Sequence, residues 1–307
     1  MSSRSYPDVR TAERIRAHYE VERELADRLR NAPREERRGL YSLVYDELFE
    51  RVPDHPQLTR KVSADDTRVQ VGLQMRFLRH FLRPGITFLE IGAGDCSLSA
   101  EVARTARHVY ALDVSESISS LAERPANLEI VISDGVSVPV PPGSVNFAYS
   151  NQLMEHLHPQ DAFEQLRNII RALAPGGRYI CITPNRLNGP HDVSSQFDRE
   201  ATGFHIKEYT VTELARLFRA AGFAKARAYA QARGRVARVP GPLVAGIEGA
   251  INALPFGAQR QLAAALPWRW ALGIQIIGYK GRLWIAIDMA RIEVVQRPWV
   301  VGWTMVR

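Results

Sequence analysis

The sequence predicts a doubly wound α/β fold, in which strand tips converge on one ligand crevice, and three observations predict it. The first is Phe88–Asp95, where an apolar run ends in an acidic residue and breaks into a glycine-rich turn. The second is Asp113, at the end of another apolar run and 19 residues after Gly94. The third is the order downstream, where each successive apolar run ends on a polar residue.

The elements follow in order. Thr11 to Arg51 reads as two charged helices, with apolar positions at Ile15, Val21, Leu25 and Leu29, then Leu40, Leu43, Val44 and Leu48. Pro33 suits the first turn of the second helix with Asn31 as a cap, and Pro53 and Pro56 end it. Residues 1–62 are therefore expected to form a helical arm that covers the pocket, mediates dimer contacts or packs on the sheet. A helix from Asp65 to Leu82 precedes the first strand, Phe88, Leu89 and Ile91, which Pro84-Gly85 and Gly92-Ala93-Gly94 bound. Gly92 and Gly94 permit a tight turn and let a nucleotide-like ligand approach the backbone. Asp95 and Ser97 are N-cap types ahead of a helix over Leu98–Ala106.

The second strand, Val109–Leu112, ends in Asp113, a carboxylate placed to accept both hydroxyl hydrogens of a ribose. The third, Leu128–Ile132, runs into Ser133-Asp134-Gly135, and the fourth, Val145–Tyr149, into Ser150–Pro159. A helix over Gln160–Leu173 stops at Ala174-Pro175-Gly176-Gly177, and strand five, Arg178–Thr183, follows. Residues 184–211 lack periodicity and are too long for an idle connection, so they read as a lid. A helix over Thr212–Ala221 stops at Gly222 and is followed by a strand over Ala224–Ala230. A helical insertion over 240–270 and an antiparallel strand over Leu272–Tyr279 come next. The insertion carries a stripe of Leu243, Val244, Ile247, Ile251 and Leu254, then Trp268, Arg269 and Trp270. The apolar tail 281–307 is assigned no function.

The set EIGAGD, ALDVS, ISDG, YSNQLMEHLHP and LAPGGRYICITPN resembles class I S-adenosylmethionine-dependent methyltransferases, most closely the small-molecule branch that includes quinone-biosynthesis enzymes. The match runs from about Gln70 to Phe223 within an expected methyltransferase domain, 63–280. It implies a Rossmann-like, seven-stranded sheet with helices on both faces and S-adenosyl-L-methionine as cofactor. It implies that Glu90, Gly92, Ala93 and Gly94 cradle the methionine part, and that Asp113 and Val114 hold the ribose. Ser133, Asp134 and Gly135 are then at the adenine, and Asn151 is a further cofactor contact. One departure stands out, because Asp95 and Cys96 occupy the region where the family often has a third glycine. A dinucleotide would meet the same turn and carboxylate, but the G-x-G-x-x-G spacing that packs around a pyrophosphate is missing.

Chemistry is expected at Glu155-His156-Leu157-His158, just past strand four. Methyl transfer is an in-line displacement, so positioning dominates, and an oxygen nucleophile also needs a base such as His156. Glu155 and His156 are similar to a motif of quinone O-methyltransferases in which such residues can bind a divalent metal, although no residue here is assigned as a metal ligand. His205 and Tyr209 are expected to point into the pocket from the lid, the alternative being a loop held by local hydrogen bonds.

The resemblance implies methylation of a small molecule, a glycan or a lipid precursor, most readily at oxygen. The alternatives are an RNA or protein methyltransferase, or a non-catalytic cofactor-binding scaffold at a membrane surface. Nucleic acid is not the expected partner: no Asn/Asp-Pro-Pro-aromatic stretch follows strand four, and Arg227–Arg238 carries only Tyr229 for stacking. Composition adds bounds. From Leu214 on there are 14 Lys or Arg against 3 Asp or Glu, a basic third suited to anionic lipid heads or simply a solvated face. Two cysteines, no secretory signal and no apolar run of about 18 residues lead to a cytoplasmic expectation, with peripheral membrane contact through the basic third.

Overall fold

Strands form where apolar residues run unbroken, because a parallel strand covered on both faces has no polar side to alternate. The computed structural model describes residues 10–56, 58, 64–114, 124–232, 235–265 and 272–282. Thr87–Ile91 (β1) is buried at every position, and His108–Asp113 (β2), Leu128–Ile132 (β3), Val145–Asn151 (β4) and Leu173–Thr183 (β5) join it in parallel. Lys225–Ala232 (β6), Arg235–Val239 (β7) and Ile274–Tyr279 (β8) complete the order β3-β2-β1-β4-β5-β8-β6-β7. As expected, β8 is antiparallel to its neighbours β5 and β6. Chain direction around the sheet reverses between β1 and β4, so their tips open a crevice.

The described sheet has eight strands rather than seven. The extra one, β7, pairs antiparallel with β6 through Val239, Arg238, Ala237, Val236 and Arg235. Exposed Arg238 gives this edge strand a charged side chain, a common guard against edge-to-edge pairing.

Helices flank the sheet. Ala12–Asn31 (α1) is capped by Thr11, and Arg34–Arg51 (α2) follows with Pro33 as its N-cap residue. Asn31 does not cap it, since its Nδ2 donates instead to the Asp27 carbonyl. Ala64–Leu78 (α3) ends four residues earlier than expected, in a turn over 79–81. Ser97–Ala103 (α4) leads to β2, and Pro159–Ala172 (α5) is capped by His158 Nδ1. Val211–Ala221 (α6) opens on a capping box of Thr210 and Glu213 and ends at Gly222, whose φ of 111° suits only glycine. Gly241–Asn252 (α7) and Phe256–Ala264 (α8) fill the interval between β7 and β8. The predicted stripe there divides: Val244 and Ile251 are buried, whereas Leu243 and Leu254 are exposed. Trp268, Arg269 and Trp270 lie outside the described residues, as does the tail beyond Arg282. Among the described residues no helix is long and apolar enough to cross a membrane.

The arm packs on the sheet. Leu25, Leu29, Tyr41, Val44 and Leu48 join a core with Leu89, Ile91, Ala148, Tyr179 and the inner faces of α5 and α6. A buried ion pair locks it there. Arg37 Nε lies 2.7 Å from Asp161 Oδ2, and Tyr41 Oη donates to the same oxygen at 2.8 Å. Removing one partner leaves the other charge buried without compensation. Asp161→Ala should therefore lower the unfolding free energy by about 3 kcal/mol, measured by urea titration at neutral pH.

Candidate functional site

The glycine turn is shaped by backbone and held by one side chain. Gly92 and Gly94 take φ values of 73° and 54°. The N–H groups of Gly92 and Ala93 both donate to the Leu112 carbonyl, at 2.8 and 3.1 Å. Asp113 Oδ2 accepts from Gly94 N–H and its Oδ1 from Val114 N–H, each at 2.7 Å. Asp113 thus ties the turn after β1 to the tip of β2, and each of its oxygens keeps a further lone pair for a ligand. Where the family often has its third glycine, Cys96 adopts φ 60°, a left-handed conformation that side chains rarely take. The turn keeps a glycine-like course without the glycine.

Glu90 is buried in β1 and receives a hydrogen bond from Ser99 Oγ at 2.6 Å. Burial, with Asp95 and Asp113 nearby, pushes its carboxyl up to about 8, so it is protonated at neutral pH. Ser133 and Asp134 first of all fold their own loop. Ser133 Oγ donates to the Ser137 carbonyl at 2.6 Å, and Asp134 Oδ1 accepts from the N–H groups of Val136 and Ser137. Gly135 must be glycine: its φ is 83°, and a Cβ there would meet the Tyr41 ring at 3.0 Å. A Cβ on Gly92 would likewise press on Leu153 at 3.2 Å, so the segment after β4 sits directly over the turn. Asn151 is half-buried at the tip of β4.

Beyond that tip, Met154–His156 forms a single helical turn that presents Glu155 and His156. Glu155 Oε2 accepts from Thr183 Oγ1 at 2.8 Å, whereas its Oε1 is buried with no partner among the described residues. Desolvation raises this carboxyl to about 7. His156 Nδ1 lies 2.9 Å from the Phe204 carbonyl, which can only accept, so Nδ1 carries the hydrogen and Nε2 keeps its lone pair. Desolvation, with His205 alongside, pushes His156 down to about 3. The His205 ring meets it edge to face at 5.0 Å.

His205 Nδ1 donates to Glu208 Oε1 at 2.7 Å, which again leaves Nε2 free. Burial works against a charged His205, but the bond to Glu208 and the nearby carboxylates of Glu155 and Asp192 outweigh it and raise its pKa. Glu208 is itself fixed by the His191 N–H at 2.8 Å, and a Cβ on Gly189 would run into its Oε2. Tyr209 is buried, and its hydroxyl has no partner among the described residues. Glu155, His156 and His205 offer three ligand atoms within 4.8 Å of one another, a set suited to a divalent cation.

Sequence reasoning named Glu155, His156, His205 and Tyr209 but missed two contributors. Glu208 follows His205 by three residues in an aperiodic segment, and a carboxylate near a histidine was the available signal. Tyr45 of α2 stacks on Phe204 at 5.2 Å and meets His156 at 6.1 Å, and nothing local in the sequence marks it.

Comparison with known proteins adds to this geometry. The family described as "Methyltransferase domain" matches residues 45–227. A probable S-adenosylmethionine-dependent methyltransferase of Mycolicibacterium smegmatis is 31% identical over 140 residues, 45% of this chain and 52% of that protein. Another, from Mycobacterium tuberculosis, is 31% identical over 136 residues, 44% of this chain and 47% of that one. The chain thus spans about half the length of the curated relatives it matches. Among solved structures, a putative methyltransferase of Haloferax volcanii, in complex with the Trm112 methyltransferase activator, aligns with a TM-score of 0.48. That alignment has 15% identity and covers 71% of this chain and 95% of that one.

Glu90 gives this half of the site a pH signature. Its folded pKa of about 8 lies above the ordinary carboxylate value of 4.5, so the fold favours the protonated form. The resulting penalty is absent below pH 4.5 and complete above pH 8. Without ligand, Glu90→Gln should melt higher than the wild type at pH 8.5 and no higher at pH 4.5, by differential scanning calorimetry.

Proposed function

The chain belongs to the methyltransferase-domain family, and from that premise we propose that it transfers a methyl group from S-adenosyl-L-methionine to an oxygen of a small-molecule, glycan or lipid-precursor acceptor. The observation that carries the oxygen assignment is the His205–Glu208 pair, set in the lid beside Glu155 and His156 at the β4 tip. An enclosed, desolvated site of this kind favours a small acceptor over a polymer.

The residues fit the donor. The turn is slim at Gly92 and Gly94, Asp113 has acceptor capacity for a ribose, and Glu90 is a buried carboxyl that a cationic group would ionise. Glu90, Gly92, Ala93 and Gly94 would hold the methionine part, and Asp113 and Val114 the ribose. Ser133, Asp134 and Gly135 would line the adenine side, with Asn151 at the β4 tip. When bound, S-adenosyl-L-methionine supplies an electrophilic methyl carbon on a sulfonium.

The chain's own residues then have three tasks. His205 accepts the acceptor's hydroxyl proton at Nε2, and Glu208 steadies the imidazolium that forms. His156, kept neutral by its surroundings, orients the acceptor through its free Nε2. The lid and arm keep water away from the reacting oxygen, with Tyr209 and Tyr45 on the walls. A divalent cation held by Glu155, His156 and His205 would occupy both Nε2 atoms, and its charge would then lower the acceptor hydroxyl's pKa in place of the His205 base.

Incubation with isotopically labelled donor and a panel of phenols, catechols and sugar hydroxyls tests the assignment. Asp113→Ala should abolish donor binding by calorimetry, and unchanged affinity contradicts the ribose role. With an acceptor in hand, His205→Ala should lower kcat by about 10²-fold or more while donor affinity holds. Glu208→Gln should shift the acidic limb of the kcat profile to lower pH, because Glu208 raises the His205 pKa.

A further inference from the structure

Away from the strand tips, the arm holds a second cluster of metal-ligating side chains that methyl transfer does not use. His18 and Glu22 stand four residues apart on α1, so one helical face carries both. His55, in the turn after α2, reaches the same point, and all three residues are 3–5% exposed. Glu22 Oε1 lies 2.8 Å from His18 Nε2 and 3.4 Å from His55 Nε2, and the three ligand atoms fall within 4.8 Å of one another. The two imidazoles meet edge to face with centroids 4.7 Å apart.

Other glutamates of the arm turn to surface arginines, as Glu24 and Glu47 do to Arg51. Glu22 turns inward. Its Oε1 faces both imidazoles rather than an arginine. Tetrahedral zinc, with bonds of about 2.0–2.1 Å, sets neighbouring ligand atoms about 3.4 Å apart; His55 Nε2 already has that separation from Glu22 Oε1, and His18 Nε2, hydrogen-bonded to it at 2.8 Å, would open by about 0.6 Å to admit the cation. Glu22 Oε2 is meanwhile fixed by the Phe204 N–H at 3.2 Å, an outer hydrogen bond of the kind that orients a ligating carboxylate.

We propose that His18, Glu22 and His55 bind a zinc-type divalent cation, with water as fourth ligand, and that this cation staples the arm to the lid through Glu22 and Phe204. Arg10 NH1 lies 3.0 Å from His18 Nδ1. With a cation on Nε2 that Nδ1 carries hydrogen, so Arg10 turns away as the site fills.

The test is a Co²⁺ titration of the full, untagged chain after chelator treatment, read by visible absorption, with zinc stoichiometry from elemental mass spectrometry. Glu155, His156 and His205 are a second donor set, so His156→Ala is the control. The tight equivalent should persist in His156→Ala and weaken about tenfold or more in His18→Ala and in His55→Gln. His55→Gln retains side-chain bulk and a donor for Glu22, which keeps the test meaningful should His18→Ala fold poorly. Zinc should raise the melting temperature of the wild type and of neither arm variant. A wild-type chain that takes up no cation overturns the proposal. So does a cation that leaves with His156→Ala yet stays in both arm variants.

Discussion

Phe204 commits its peptide groups in two directions, and the arrangement of arm, lid and site depends on both. Its N–H goes to Glu22 Oε2 on α1, across 182 positions of sequence, and its carbonyl accepts from His156 Nδ1. A buried peptide group must place both its donor and its acceptor, and leaving either unmet costs about 1–3 kcal/mol. The ring is committed as well, stacked on Tyr45 of α2. Arg30 reinforces the same seam by donating to the carbonyls of Thr202 and Gly203, both at 3.0 Å. Lifting the arm would therefore strip the lid of partners and release the ring whose tautomer Phe204 sets. In this fold the arm packs directly on Phe204 and His156.

Charge is distributed in the crevice with equal economy. Glu90 and Glu155 are both buried and both pushed up, to about 8 and about 7, while Asp113 is met by two backbone N–H groups. A carboxyl kept neutral by its surroundings ionises when a positive group comes beside it, so a cationic ligand gains an attraction that water or a neutral analogue would not. With the donor placed as proposed, the same attraction would favour the sulfonium donor over its neutral product. The cost appears as lower stability of the empty site at alkaline pH.

What could be read in the sequence follows from what leaves a periodic or punctuated trace. The strands β1 to β4 are legible because each is an apolar run closed by glycine, aspartate or serine, β5 from Arg178 on because its apolar run is closed by Thr183-Pro184, and the α6 cap because Thr210 precedes Glu213 by three residues. Asp113 is legible because its distance from the glycine turn is fixed by a strand–helix–strand unit. Buried polar residues leave no such trace. Arg37, His18 and Glu22 lie in a helical arm that reads as highly charged, yet Arg37 and Glu22 are buried against partners far along the chain and His18 against Glu22 and His55. The β7 strand was hidden because an edge strand rich in arginine resembles a solvated basic loop. Glu208 was hidden because its pairing with His205 depends on a turn rather than on a repeat.

The choice between the two histidines shows why side-chain identity alone does not assign a base. Both rings have Nδ1 committed and Nε2 free, so geometry treats them alike. Their environments do not. His156 donates to a neutral carbonyl and sits beside another imidazole, and desolvation takes it down to about 3. A ring that weakly basic cannot hold a proton taken from a hydroxyl, but it is an effective neutral hydrogen-bond acceptor. His205 donates to a buried carboxylate, which favours the charged ring and places its titration nearer the range in which proton transfer is efficient. The sequence points to His156 because it adjoins the strand tip. In the proposed mechanism, the carboxylate three residues beyond His205 therefore favours the histidine of the lid as the proton acceptor.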